Sequence, residues 1–146
     1  MIAYVDSSVL VRAYLADEDG HANAAAILGD PDLALITGTW ARIEVSGALV
    51  RAARSGRGDE VGLLDLLDAD LAVEGAVTVV TAPQADVEEQ ALGLVRAHGI
   101  RALDAWHLAT AAIVVPALVE PGEDVGFASR DQAQSDVASA LGFRVL

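Results

Sequence analysis

Ile2-Ala3-Tyr4-Val5-Asp6-Ser7-Ser8 is the stretch that decides the fold of this chain. Its first four residues are apolar enough to form a buried strand, and the acid and serines that follow are typical of a helix cap. A helix is therefore predicted from Val9 to Leu15. A buried strand that passes directly into a helix begins a strand–helix–strand unit, which favours a parallel sheet.

The same alternation continues along the chain. Further strands are predicted at Leu33–Ile36, Val77–Thr81, Gly126–Ser129 and Phe143–Leu146. Further helices are predicted at Ala22–Leu28, Trp40–Arg54, Glu60–Leu71, Pro83–His98, Asp104–Val115 and Gln132–Leu141. The 146 residues contain no linker and no internal repeat. We therefore expect one α/β domain over residues 1–146, with a mostly parallel central sheet flanked by helices on both faces.

Two residue types are missing, and their absence narrows the chemistry. The chain has no Cys, which excludes disulfides, thiolate metal sites and a thiol nucleophile. It has no Lys either, because all nine basic residues are Arg, and this excludes a phosphate-binding P-loop. No apolar run approaches the roughly 20 residues of a membrane span. We expect a cytoplasmic protein that makes no membrane contact.

Charge is a further constraint on the partners of this chain. The formal net charge is −13, which favours a basic partner and opposes general binding to nucleic acid. Four of the nine Arg lie in one short region: Arg42, Arg51, Arg54 and Arg57. They could complement the dipole at the end of a helix, or they could form a patch for a phosphate backbone. The sequence leaves both interpretations open.

Four acidic residues follow predicted strands or lie near predicted helix starts: Asp6, Glu44, Asp104 and Asp131. Ligands of open parallel sheets bind beyond the carboxyl ends of the strands, so these side chains are predicted to meet at one edge. Taken singly, each Asp is more simply a helix cap, and Glu44 an ordinary surface residue. His107 lies one helical turn from Asp104 and could contact the same site, but a packed structural histidine is the simpler interpretation.

Taken together, the four carboxylates indicate a site for a divalent cation. Carboxylates that are brought together repel one another, and the usual remedy is a hard cation such as Mg²⁺ or Mn²⁺. A cation so held can activate water and stabilise an in-line displacement at phosphorus. The residues therefore favour a metal-dependent nuclease. Two alternatives stay open: a non-catalytic protein-binding module that keeps its acids as caps, and a metal-dependent phosphatase of small molecules.

Four segments resemble the motifs of a known family: Val5-Asp6-Ser7-Ser8, Trp40-Ala41-Arg42-Ile43-Glu44-Val45, Leu103-Asp104-Ala105-Trp106-His107-Leu108-Ala109 and Ser129-Arg130-Asp131. In this order, within an alternating α/β chain, they resemble the acid-bearing motifs of PIN-domain ribonucleases. More narrowly, they resemble those of VapC-type toxins of type II toxin–antitoxin systems. The resemblance extends over essentially the whole chain, and its third segment is the most specific.

The resemblance implies an endoribonuclease that acts on RNA with Mg²⁺, or with Mn²⁺ in its place. It implies that the four acids named above are catalytic and bind the metal, with Asp6 and Asp104 as the principal ligands. It implies that Ser8 or Ser129 orients a carboxylate or a water. It also implies two protein partners, a second copy in a homodimer and a cognate antitoxin.

Overall fold

The computed structural model describes residues 1–146, and its centre is a sheet of five parallel strands. The strands are β1 (Ile2–Val5), β2 (Ala34–Gly38), β3 (Val77–Val80), β4 (Val125–Ala128) and β5 (Arg144–Val145). Their spatial order is β3-β2-β1-β4-β5. The middle strand β1 pairs with β2 on one side and β4 on the other, which accounts for its continuous apolar run.

Seven α-helices cover the sheet: α1 (Ser7–Tyr14), α2 (His21–Leu28), α3 (Thr39–Arg54), α4 (Glu60–Asp70), α5 (Gln84–His98), α6 (Ala102–Val114) and α7 (Gln132–Ala140). Successive side chains of a strand point to opposite faces of its sheet. Ala3 and Val5 accordingly belong to the core beneath α1–α4, and Tyr4 to the core beneath α5–α7. None of these helices combines the length and the apolar character that crossing a bilayer requires.

This architecture confirms the predicted α/β fold with a parallel sheet and helices on both faces. The chain order reverses at β1, because β2 and β3 lie on one side of it and β4 and β5 on the other. A crevice forms beyond the carboxyl end of a strand at which the order reverses. Asp6 directly follows that end of β1.

Two of the predicted acids are helix caps. Helix α1 begins at Ser7, two residues earlier than predicted, because Asp6 caps it by accepting a hydrogen bond from the Ser8 backbone N–H at 3.0 Å. Asp131 caps α7 in the same way and accepts from the Gln134 backbone N–H at 3.0 Å. Capping fixes the orientation of both carboxylates relative to their helices.

The third predicted acid is not a cap. Helix α6 begins at Ala102, because Arg101 has the extended backbone of a cap residue, with φ −67° and ψ 152°. Asp104 was predicted to begin this helix. It lies instead in the first turn, two residues after the helix begins. Its carboxylate accepts a hydrogen bond from the Arg101 side chain.

Candidate active site

Each of the four predicted acids is delivered to the carboxyl edge of the sheet by a different element. Asp6 follows β1, Glu44 lies in the second turn of α3, Asp104 lies in the first turn of α6, and Asp131 precedes α7. Asp6, Glu44 and Asp104 line one cleft of about 370 Å³. Asp131 lies outside the lining of this cleft and is joined to it by Arg101.

Arg101 bridges two of the acids. Its Nε donates to Oδ2 of Asp104, and its Nη2 donates to Oδ2 of Asp131, each at 2.8 Å. The hydrogen bond to Asp104 and the charge of Asp131 raise the pKa of Arg101. The arginine side chain is 75% exposed, so it can leave this position without exposing a core. Asp104 and Asp131 thus meet around a cation that the chain itself supplies.

The cleft holds more negative charge than Arg101 neutralises. Burial raises the pKa of Asp104, Arg101 opposes this shift, and the charges of Asp6 and Asp131 add to it. The net rise means that the ionised form of Asp104 is disfavoured at this position. A further positive charge in the cleft would favour the carboxylate and lower that pKa.

His107, a buried residue, contacts the carboxylate of Glu44. Nε2 of His107 lies 2.5 Å from Oε2 of Glu44, and it must carry a proton because a carboxylate only accepts. The Ser7 hydroxyl donates to the same oxygen at 2.9 Å. On the other side of the ring, Nδ1 lies 2.8 Å from the Tyr4 hydroxyl, which accepts from the Gly38 backbone N–H at 2.9 Å. A continuous hydrogen-bonded chain therefore leads from β2 to the carboxylate.

The pKa values of Glu44 and His107 shift in opposite directions. Burial favours neutral Glu44, but the hydrogen bonds from His107 and Ser7 outweigh it and lower the Glu44 pKa. Burial likewise favours neutral His107, but Glu44 and the charge of Asp6 outweigh it and raise the His107 pKa. Both shifts favour the charged pair, so Glu44 stays ionised in the cleft.

Gln134 ties together the elements that carry the other acids. This residue is fully buried, and its Nε2 donates to Oδ1 of Asp6 at 3.3 Å and to the backbone oxygen of Asp104 at 3.1 Å. Its Oε1 accepts from the Ser129 hydroxyl at 2.5 Å. Sequence reasoning missed Gln134. Its position three residues after the Asp131 cap is typical of a capping box, but the backbone N–H of Asp131 donates to Ser129 instead.

The serine that contacts a predicted acid by its side chain is Ser7, which sequence reasoning did not select. The hydroxyl of Ser8 instead accepts from the backbone N–H of Arg130 at 3.0 Å, and that of Ser129 accepts from the backbone N–H of Asp131 at 2.9 Å. Ser8 therefore links the loop between β4 and α7 to the start of α1, and Ser129 makes its hydrogen bonds within that loop and α7. His107 was expected to be a packed residue; it is buried, and it also contacts Glu44.

Three of the four clustered arginines form ion pairs with carboxylates of the same chain. Arg42 pairs with an acid of α4, Asp68, at 2.7 Å. Arg54 and Arg57 also pair with carboxylates, at 3.7 Å and 2.6 Å. Arg51 makes no such pair, and it lies with Arg54 in the last turn of α3, where cations complement the helix dipole. The structure thus favours the helix-dipole interpretation for Arg51 and Arg54, and it offers little free cationic surface in this region.

The sequence profile of the PIN domain family matches residues 3–119. The chain belongs to the PIN domain family. PIN domains are generally metal-dependent nucleases, so the fold described above is a nuclease fold. The matched part of this PIN domain contains Asp6, Glu44 and Asp104 and ends before Asp131. A comparison with curated proteins found no match to the chain.

The donors of this PIN domain suit a hard divalent cation. The cleft presents carboxylate oxygens, which Mg²⁺ and Mn²⁺ prefer, and PIN domain nucleases generally use such metals. No three acidic or histidine side chains lie close enough together here to form a ready-made metal-binding group. In this arrangement Arg101 pairs with Asp104 and Asp131, and His107 contacts Glu44. The fit of a cation rests on the donors themselves, because carboxylates from three separate elements line the cleft.

Proposed function

We propose that this PIN domain is a Mg²⁺-dependent endoribonuclease that hydrolyses phosphodiester bonds in RNA, and that it acts as a VapC-type toxin with a cognate antitoxin. One observation carries the proposal. Carboxylates from three separate elements, Asp6, Glu44 and Asp104, line a single cleft beyond the central strand, and Arg101 links Asp131 to it.

The four acids differ in their proposed contribution to cation binding. Asp6 and Asp104 are its principal ligands, and Glu44 and Asp131 complete the negative surface around it. When bound, Mg²⁺ supplies an activated water and neutralises the charge that develops at phosphorus. Mn²⁺ takes the same ligands and can replace it.

Hydrogen bonds from neighbouring residues fix the orientation of the Asp6 and Glu44 carboxylates. Both carboxylate oxygens of Asp6 accept hydrogen bonds, Oδ2 from the backbone N–H of Ser8 and Oδ1 from Gln134. His107 and Ser7 both contact Oε2 of Glu44 and leave its other oxygen free for the cleft. Outer contacts of this kind orient ligands and commonly change metal affinity or activity by about 10- to 100-fold when they are removed.

The charge of the chain supports a basic protein partner. A net charge of −13 attracts a cationic protein at long range. Arg101 provides the chemical precedent within the chain, because one guanidinium satisfies Asp104 and Asp131 together. An antitoxin arginine that made the same contact would occupy the cleft in place of the metal ion. A homodimer completes the proposed assembly.

A second candidate, a non-catalytic binding module, is favoured by the capping role of two acids. Asp6 and Asp131 each stabilise a helix start, so both have a structural reason to be present without catalysis. The two candidates differ in what loss of charge at Asp6 does. A nuclease loses cleavage, whereas a binding module keeps its partner.

The test is RNA cleavage by the purified protein on a broad RNA pool in Mg²⁺ or Mn²⁺. EDTA and the substitution Asp6→Asn are both expected to abolish cleavage. Asp59→Asn is the matched control, because Asp59 caps α4 by the same kind of hydrogen bond and lies outside the cleft. Full cleavage by Asp6→Asn would refute the assignment of Asp6.

A simple phosphate ester distinguishes the remaining alternative. Turnover of that ester without cleavage of RNA would indicate a small-molecule phosphatase. No turnover of either substrate by folded protein, with retention of a basic partner by Asp6→Asn, would indicate the binding module.

A further inference from the structure

A second cavity has a volume of about 250 Å³. Its lining includes both tryptophans of the chain, Trp40 and Trp106. The buried residues Val87 and Thr110 also line it, together with Thr81. The cavity thus brings two aromatic rings together with apolar and hydroxyl-bearing side chains.

The position of the cavity relates it to the acids. Trp40 precedes Glu44 by four residues on α3, so the two side chains lie one helical turn apart on the same face. Trp106 adjoins His107, the residue that holds Glu44, on α6. The cavity therefore lies along the carboxyl edge of the sheet, next to the cleft that would receive a phosphate.

The indole of Trp40 is exposed to solvent, and that of Trp106 is partly buried. Trp40 is 40% exposed, and its ring meets that of Trp106 edge to face, with centroids 5.8 Å apart and an interplanar angle of 63°. An edge-to-face pair leaves a ring face uncovered by its partner. Bases of single-stranded nucleic acid stack on such faces whatever their sequence.

The charge of the chain gives an independent reason for an uncharged contact. RNA-binding proteins usually gain affinity from cations on the phosphate backbone. This chain carries a net charge of −13, and Arg42, Arg54 and Arg57 already pair with its own carboxylates. Contacts that do not depend on charge, such as stacking, would add affinity for an RNA strand that this net charge does not oppose.

We propose that Trp40 and Trp106 form a nucleobase subsite, which holds one unpaired base of an RNA strand while an adjoining phosphate lies in the acidic cleft. The inference rests on the proposed function, because it assigns part of the substrate of that same site. A base held in this subsite is unpaired, since a paired base cannot leave its helix without a cost in unstacking.

Intrinsic fluorescence can test this site selectively, because Trp40 and Trp106 are the two tryptophans of the protein. The experiment titrates the Asp104→Asn variant with a single-stranded hexaribonucleotide in Mg²⁺, and a gel confirms that the oligonucleotide stays intact. A saturable change in tryptophan fluorescence is expected. An abasic oligonucleotide of the same length is expected to produce no such change, because it has the phosphates without the bases.

Substitution of the exposed tryptophan separates stacking from folding. Trp40→Ala, made in the Asp104→Asn background, is expected to raise Kd by about tenfold or more, and Trp40→Phe to restore most of the affinity. Because stacking carries no charge, the dependence of Kd on salt should not change. An unchanged Kd for Trp40→Ala, or an equal response to the abasic strand, would overturn the proposal.

Two further outcomes separate this inference from the function on which it rests. Base-dependent quenching without RNA cleavage by the wild type would support the subsite and count against the nuclease. Cleavage by the wild type without base-dependent quenching would keep the nuclease and overturn the subsite.

Fluorescence that changes with protein concentration but not with RNA would identify the tryptophans as a contact between two copies of the chain. That result also overturns the proposal.

Discussion

His107 Nε2 lies 2.5 Å from Glu44 Oε2, and this contact joins the core to the candidate active site. The histidine side chain is 1% exposed, whereas that of the glutamate is 23% exposed. A buried group therefore sets the position of a carboxylate that faces solvent. The contact also joins two helices, α3 and α6, that are distant in sequence.

His107→Ala is expected to reduce RNA cleavage by about 10- to 100-fold, because Glu44 loses the donor that orients it. The variant is also expected to lose about 1–3 kcal/mol of unfolding free energy, because the buried Tyr4 hydroxyl loses one of its two hydrogen-bond partners and keeps only the Gly38 backbone N–H. Urea unfolding and single-turnover cleavage measure the two effects. His98→Ala is the control, since His98 is exposed at the end of α5. Unchanged cleavage in folded His107→Ala would contradict the positioning role.

The same pair predicts how stability depends on pH. The raised pKa of His107 contributes stability that is present below its ordinary value of 6.5 and is lost as pH rises through the folded value. The lowered pKa of Glu44 contributes stability that is present above its ordinary value of 4.5 and is lost as pH falls through the folded value. The pair should therefore contribute most between pH 4.5 and 6.5.

Urea unfolding of the wild type and of His107→Gln across this range isolates the contribution. The difference in unfolding free energy should be greatest inside the window and should shrink on either side of it. A difference that grows as pH rises above 6.5 would mean that His107 is stabilised in its neutral form, contrary to the raised pKa.

Gly38→Ala tests the far end of the hydrogen-bonded chain without removing an ionisable group. A Cβ at Gly38 would stand 2.8 Å from the hydroxyl of Tyr4, a fully buried residue, so one of the two groups would have to shift. Overpacking of this kind is expected to cost about 1–3 kcal/mol of unfolding free energy, and the displaced Tyr4 should also reduce cleavage.

Gly93→Ala provides the matched control for that substitution. Nothing lies within 4 Å of a Cβ at Gly93, which is exposed on α5. There the exchange should raise stability by up to about 1 kcal/mol, because Ala is the better helix former. Equal effects at the two glycines would argue against the close approach at Tyr4.

Arg101→Ala is expected to change how the fold responds to Mg²⁺. Without the guanidinium, Asp104 and Asp131 repel each other, so the melting temperature in EDTA should fall. Added Mg²⁺ should then raise the melting temperature more in the variant than in the wild type, because no internal cation competes for these acids. Thermal unfolding with and without Mg²⁺ measures both effects.

Arg96→Ala serves as the control for this comparison, since Arg96 is exposed in the last turn of α5 and contacts none of the acids. Equal Mg²⁺-induced shifts in Arg101→Ala and the wild type would show that the guanidinium and the metal do not share a site.

Much of the fold was predictable because its signals are local. The apolar run of β1, the acid that follows it and the glycines and prolines between elements lie within a few residues of the structures that they specify. The boundaries were less predictable where a cap was not the expected residue. Asp104 was predicted to begin a helix, whereas Arg101 caps α6 and leaves Asp104 to face the cleft.

The sequence by itself determined the α/β fold, the parallel sheet and the placement of four acids near strand ends or helix starts. It could do so because hydrophobic periodicity and capping act between neighbouring residues. Only the tertiary structure decided which groups surround those acids. His107 and Glu44 are 63 residues apart, and Gln134 and Asp6 are 128 residues apart. Contacts across such separations depend on how helices pack against the sheet, and no local pattern encodes them.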